Sequence, residues 1–161
     1  MAISKIGKNA VDLGTPCVNA YNASAQSLSA NTWTDVALGT EVIDTQSNFA
    51  SSAFTVPDVG QYIIIATVEC DCDDTDELVR VGIRLTKKPS GGSHAAVAGT
   101  EQNYFKDHDS NESFSRATVA TTHMYTSAAS DEWKMQVLAN WGGGSTSVQD
   151  GAATFVAFKI H

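Results

Sequence analysis

SSAFTVPDVGQYIII, residues 51–65, sets one proline, one glycine and one tyrosine between a lone aromatic and the most apolar run in the chain. Phe54, Val56 and Val59 are apolar, Pro57 removes a backbone donor and Gly60 admits positive φ, so the segment reads as strand, turn, strand. The turn delivers Tyr62 into a buried strand. YIIIATV, residues 62–68, is apolar on both faces, which marks a central strand whose second face is covered, for instance by a neighbouring subunit.

Working outward, short alternating segments recur on both sides. The sequence predicts strands at 18–23, 33–38, 41–44, 53–56, 61–71, 78–87, 94–105, 115–127, 132–141 and 154–160, separated by polar turns, the spacing of a sandwich or barrel. In LVRVGIRL, Arg80, Gly82 and Arg84 alternate with Val79, Val81, Ile83 and Leu85, a strand with one wet face. EWKMQVLANW puts Trp133, Met135, Val137 and Ala139 on one face. TFVAFKIH sets Phe155 and Ala157 against Val156, Phe158 and Ile160, too apolar a pattern for a strand that does not end among others. Only 17% of residues are charged, which suits β-structure without long solvated helices, and 161 residues form one domain that buries about 70% of its unfolded surface.

A net charge of −8 with scattered lysines and arginines excludes a phosphate-binding surface, so no nucleic-acid partner is expected. No apolar run approaches the roughly 18 residues of a membrane span and MAISKIGKNAVDLG lacks a signal-peptide core, so the expectation is a protein folded in a cytoplasm with no membrane partner. The cysteines number three; Cys70 and Cys72 share one strand face and Cys17 is remote, so reduced thiols are expected rather than a bridge or a zinc site.

Leu38, Asp44, Phe49, Phe54, Gly60 and Tyr62 fall in an order and at separations that resemble the signature of the complement q-subunit globular head, a family related to tumour necrosis factor. The likeness runs from about Val18 to Ile160, with Leu38 where an aromatic is usual and Ile64 and Ala66 in place of the aromatics after the tyrosine. The resemblance implies an all-β jelly-roll sandwich of two antiparallel sheets over residues 17–161; ahead of it, weak periodicity over residues 1–15 and the interruption at Gly14, Thr15 and Pro16 mark a short N-terminal arm over 1–16. It further implies a homotrimer whose central strands lie near the threefold axis, which makes Tyr62, Ile63, Ile64, Ile65, Phe155 and Phe158 the candidate interface residues.

The arm carries Ile3, Ile6, Val11 and Leu13, too few apolar residues for a core and enough for a segment that orders on docking to another protein. An arm of this kind ahead of a jelly roll is similar to small structural proteins of tailed bacteriophages. The function expected is therefore non-enzymatic: a virion component, assembled in the host cytoplasm, that decorates and cements a capsid as a homotrimer. The alternative is a receptor- or carbohydrate-binding tip on a tail fibre or tail accessory protein, for which Trp141 beside Gly142, Gly143 and Gly144 is the candidate surface. Asp71, Asp73, Asp74 and Asp76 form an acidic turn that invites calcium, which some members of the resembled family hold near the trimer top; the competing reading is a solvated hairpin tip, since the glycine and terminal glutamate of a calcium loop are missing. No other cofactor is expected. Asp107, His108 and Asp109 are adjacent in a loop-like segment and do not form an acid–base pair on one face.

Overall fold

The computed structural model describes residues 15–73, 78–105 and 115–161, and these contain strands and no helix. One sheet runs β11 (Arg116–Ser127), β7 (Gly60–Cys72), β13 (Thr146–Lys159), β1 (Cys17–Tyr21), β4 (Thr40–Asp44), with β2 (Gln26–Ser27) also on β13. The second runs β10 (Gln102–Phe105), β8 (Leu78–Lys88), β12 (Glu132–Trp141), β6 (Ala53–Thr55), β5 (Phe49–Ala50), with β3 (Thr34–Asp35) on β12 and β9 (Ala95–Ala96) on β8. All pairings are antiparallel, and neighbours in each sheet are mostly distant in sequence, the crossing pattern of a jelly roll.

Strict alternation builds the core. Tyr62, Ile64, Ala66 and Val68 of β7, Phe155 and Ala157 of β13, and Val18 and Ala20 of β1 point inward from the first sheet. Trp133, Met135, Val137 and Ala139 of β12 meet them with Val81, Ile83 and Leu85 of β8. Each of these side chains is fully buried, worth about 1.5–3 kcal/mol for a large aliphatic or aromatic group.

The opening stretch folds as strand, turn, strand, with one change of cause. Phe54 packs on Tyr62 at 5.8 Å between ring centroids, and the Tyr62 hydroxyl donates to the Asp58 carbonyl at 2.9 Å, closing the turn from inside. Gly60 is not among the positive-φ residues; it is glycine because a Cβ there would strike the His161 carbonyl and the Lys159 side chain. The Gln61 amide donates to that same carbonyl at 2.7 Å, which ties the last residue of the chain to the first turn of β7. Asp44 serves the signature in a similar way: its carboxylate accepts from the Asn48 and Phe49 amides, both at 2.9 Å, and sets Phe49 against Phe155.

Four predicted strands differ, the one at 33–38 being reduced to Thr34–Asp35. The pairing of β8 with β12 slips between Asn140 and Trp141, so Leu78 takes the inward position and Val79, read as inward from its alternation, is 41% exposed. The predicted strand at 94–105 is two short ones, split where Gly99 turns with φ +79° and Thr100 is buried, its hydroxyl donating to the Val97 carbonyl at 2.8 Å. The final strand begins at Thr146 and carries an excursion between Val148 and Ala153 that Asn22 plugs: its buried side chain accepts from the Ala153 amide at 2.7 Å and donates to the Gln149 carbonyl.

The sandwich has two distinct ends. Pro16, Gly60 and His161 gather at one, where the Lys159 amide donates to the Pro16 carbonyl at 3.0 Å. Residues 15 and 16, assigned to the arm from sequence, are already bonded to the domain there, Thr15 through the Thr45 hydroxyl. Cys72, Asp73, Ser115 and Ser145 gather at the other.

Candidate functional site

The outer face of the first sheet is arranged in rows by strand register. Cys17 lies opposite Phe158, Phe158 opposite Ile63, and Ile63 opposite Met124. The next row is Ile43, Asn19, Val156, Ile65 and Thr122, and the one beyond is Tyr21, Thr154, Thr67 and Ala120. Met124 is 62% exposed and Ile43 46%, while Ile63, Ile65, Val156 and Phe158 are half-buried, so the two rows nearest the Pro16 end form a mostly apolar surface, interrupted by Asn19 and bordered by Thr122.

Polarity rises along the same face toward the far end. The Thr118 hydroxyl donates to Glu69 at 3.0 Å, and Arg116 meets Asp71 at 2.7 Å. That hydrogen bond, with the charges of Asp71 and Glu69, pushes the Arg116 pKa up.

Beside Met124, at the β11 edge, a cleft of about 590 Å³ opens between the sheets, lined by Pro89, Ala95, Val97, His123 and Tyr125. Lys87 also lines it, held by Asp131 at 2.8 Å and with its Nζ 4.6 Å from the Tyr125 ring centroid.

The interface candidates named from sequence divide in two. Ile63, Ile65 and Phe158 stand on the outer face, whereas Tyr62, Ile64 and Phe155 are fully buried in the chain's own core and offer nothing to a partner. The reason is the period of two: residues adjacent in a strand cannot share a face. Met124, Val156 and Ile43 belong to the same surface and were missed.

Trp141 is half-buried against the core, and its indole N–H donates to the Gly144 carbonyl at 3.2 Å, folding the glycine loop back on the ring. The Asp73 carboxylate accepts from the amide and the hydroxyl of Ser145, at 2.6 and 2.7 Å, and those bonds lower its pKa. Trp141, the glycine loop and Asp73 thus come together at the end away from Pro16. Asp71 and Asp73 are engaged separately, by Arg116 and Ser145, and no cluster of three or more metal-ligating side chains occurs among the described residues. Asp74, Asp76, Ile3, Ile6, Val11, Leu13 and the Asp107 to Asp109 triplet lie outside the described residues.

The outer face of the second sheet is built mainly of paired polar side chains, with Trp33 and the exposed Phe105 lying against Arg84 and Arg80. Lys134 pairs with Asp35 at 3.1 Å, Gln136 donates to Asp35 at 2.7 Å, Arg80 meets Glu101 at 3.2 Å, and Lys88 meets Glu132 at 2.6 Å. Arg84 lies over Trp33, its guanidinium carbon 4.2 Å from the ring centroid.

No protein-family model and no curated protein matches the sequence. Solved structures match it closely in fold. The globular domain of the zebrafish complement 1qA protein superposes with a TM-score of 0.60 at 12% identity, over 91% of this chain and 98% of that one. Murine APRIL gives 0.63 at 12% identity, over 91% and 99%. The Eiger tumour necrosis factor of S. frugiperda gives 0.66 at 10% identity, over 91% and 93%. The fold is therefore the jelly roll of the complement q-subunit and tumour necrosis factor domains, as the signature residues imply.

Proposed function

We propose that the protein is a non-enzymatic structural module that assembles into a homotrimer through the outer face of its first sheet, and that it decorates and cements the capsid of a tailed phage. The apolar rows around Ile63, Ile65, Val156, Phe158 and Met124 carry this reading, because a solvated sheet face has no reason to group so many large apolar side chains. Each half-buried side chain there still has surface to lose, worth on the order of 1 kcal/mol apiece on burial. An apolar face that meets the Met124 edge of a second copy makes a heterologous contact, which closes into a three-membered ring when each copy is rotated by a third of a turn from the last.

The described chain enters at Pro16, at the same end as the apolar rows. In a trimer built on that face, the three segments 1–14 would start from one end as a group. Weak docking of each arm to a shell then becomes strong binding of the whole through effective concentration.

A second reading is favoured by one observation, the gathering of Trp141, the glycine loop and Asp73 at the opposite end, where a receptor- or carbohydrate-binding tip of a tail protein would face outward.

The test is solution mass followed by mixing. The expected mass is three times the 17.0 kDa chain, and the trimer is expected to add saturably to capsids that lack it, with deletion of residues 1–14 abolishing addition and leaving the trimer intact. A monomer overturns the proposal. A trimer that ignores capsids and binds host cells replaces cement with the tip.

A further inference from the structure

In an acidic protein, one described cation stands without an acid. Every other described Lys and Arg forms an ion pair with a carboxylate; Arg84 forms none. Its two nearest acids are committed elsewhere, Asp35 to Lys134 and Gln136, and Glu101 to Arg80.

Arg84 is nevertheless held in place. Its Nε donates to the Gln136 Oε1 at 2.8 Å, and Gln136 is fixed in turn because its own amide nitrogen donates to Asp35. The guanidinium lies over the Trp33 indole, its central carbon 4.2 Å from the ring centroid. Trp33 can lie there only over a bare backbone: a Cβ at Gly82 would come within 3.0 Å of the Trp33 Cη2 and 2.6 Å of the Asn103 Oδ1. With the Nε edge used by Gln136, the two terminal amino groups make no hydrogen bond among the described residues. They form the end-on edge of the fork, the geometry that accepts a carboxylate in two parallel bonds.

We propose that Arg84 and Trp33 form a binding site for acidic saccharides, the uronic- and sialic-type sugars that present a planar carboxylate beside an apolar C–H face. The carboxylate takes the open edge of the fork, and the C–H face takes the part of the half-exposed indole that the guanidinium leaves uncovered. The site does not rest on the assembly reading: it is on the opposite outer face and stays open whatever covers the apolar rows. If three copies assemble, three such sites gain avidity on a multivalent glycan.

The experiment is a titration of the full chain with sialyllactose and with a glucuronate-containing oligosaccharide, followed by indole N–H shifts in nitrogen-resolved spectra. Lactose serves as the neutral control and a short peptide with a free C-terminal carboxylate as the other anion. Expected is saturable binding of both acidic sugars, weakened by about tenfold or more for lactose and in Arg84→Gln. Arg84→Lys, which keeps the charge and loses the fork, is expected to weaken binding as well, with thermal melts confirming that both variants are folded. Lactose binding as tightly, no sugar binding at all, or an unaltered Arg84→Lys each overturns the site; binding of the peptide in place of the sugars overturns the ligand class.

Discussion

The outer faces of the two sheets come from the same two-residue alternation and end in opposite chemistry. On the second sheet, outward Arg80, Arg84, Lys134 and Gln136 are joined to Glu101, Trp33 and Asp35, and the surface is complete in water. On the first, outward Ile63, Ile65, Val156 and Phe158 stand beside one another, Met124, Ile43 and Cys17, with Asn19 and Thr122 as the polar members of their rows. One core thus supports a polar, paired face and an apolar, unpaired one; a second copy is proposed for the apolar face and a soluble ligand for the polar one.

The largest effect is expected from a charge placed in the apolar rows. Ile63→Lys should convert the assembled protein to monomer, since a buried central contact contributes 2 kcal/mol or more, a weakening of about thirtyfold or greater at each interface. Lys134→Glu, a larger change of charge on the polar face, should leave the solution mass unaltered. An Ile63→Lys trimer, or dissociation by Lys134→Glu, would abolish the distinction between the faces.

Cys17 sharpens it. This thiol stands in the row of Phe158 and Ile63, and burial, aided by the charge of Asp44, raises its pKa. Alkylation of Cys17 should be slower by roughly tenfold in the assembled protein than in the Ile63→Lys monomer, as expected when a partner removes access to the thiolate. Cys70, pushed up to about 12 by burial with Glu69 adding to it, should react only on unfolding and gives the internal control. Equal Cys17 rates in the two proteins would mean that the face is uncovered.

Where one face is polar, alternation identified the inward set from sequence, as it did for Trp133, Met135, Val137 and Ala139. It failed in YIII, where both faces are apolar and only the register with β11 and β13 separates Ile63 and Ile65 from Tyr62 and Ile64. Phe155 was separable from Phe158 by parity alone. Met124 is surrounded on its own strand by outward Thr and Ala, so nothing local marks it. Trp33 and Arg84 belong to elements far apart in the chain, and their stacking depends on Gly82, whose need for a missing Cβ is visible only once the sheet is built. The acid before Phe49 was legible as a signature, but its cause, two amides received by Asp44, required the turn.

Gly82→Ala tests how tightly the polar face is built. The added methyl meets Asn103 and Trp33, and an overpacked contact of this kind costs about 1–3 kcal/mol, a fall of roughly 2–10 °C in melting temperature for a chain of this size. The solution mass should not change. A neutral Gly82→Ala would show that Trp33 is free to swing away and that the Arg84 shelf is not fixed.

The smallest effect expected is in pH dependence, and it again separates the faces. Burial lowers the His94 pKa and Lys134 lowers it further, against the opposing charges of Asp35 and Glu132. Burial raises that of Asp35, but hydrogen bonds from Gln136 and Lys134, with the charges of Lys134 and His94, outweigh it and hold the carboxyl below its ordinary value. In both cases the folded pKa lies below the unfolded one, so on acidification the unfolded chain takes up protons first and stability drains as pH falls. The loss tied to His94 begins below about pH 6.5 and that tied to Asp35 below about pH 3.9, each ending as pH passes the folded pKa. The apolar rows hold no carboxylate or imidazole, so solution mass should stay constant across the first step while the melting temperature falls slightly. His94→Gln should flatten that first step and leave the second; a step that persists in His94→Gln would place its origin outside the polar face, and a mass that falls with it would mean that the assembly face titrates too.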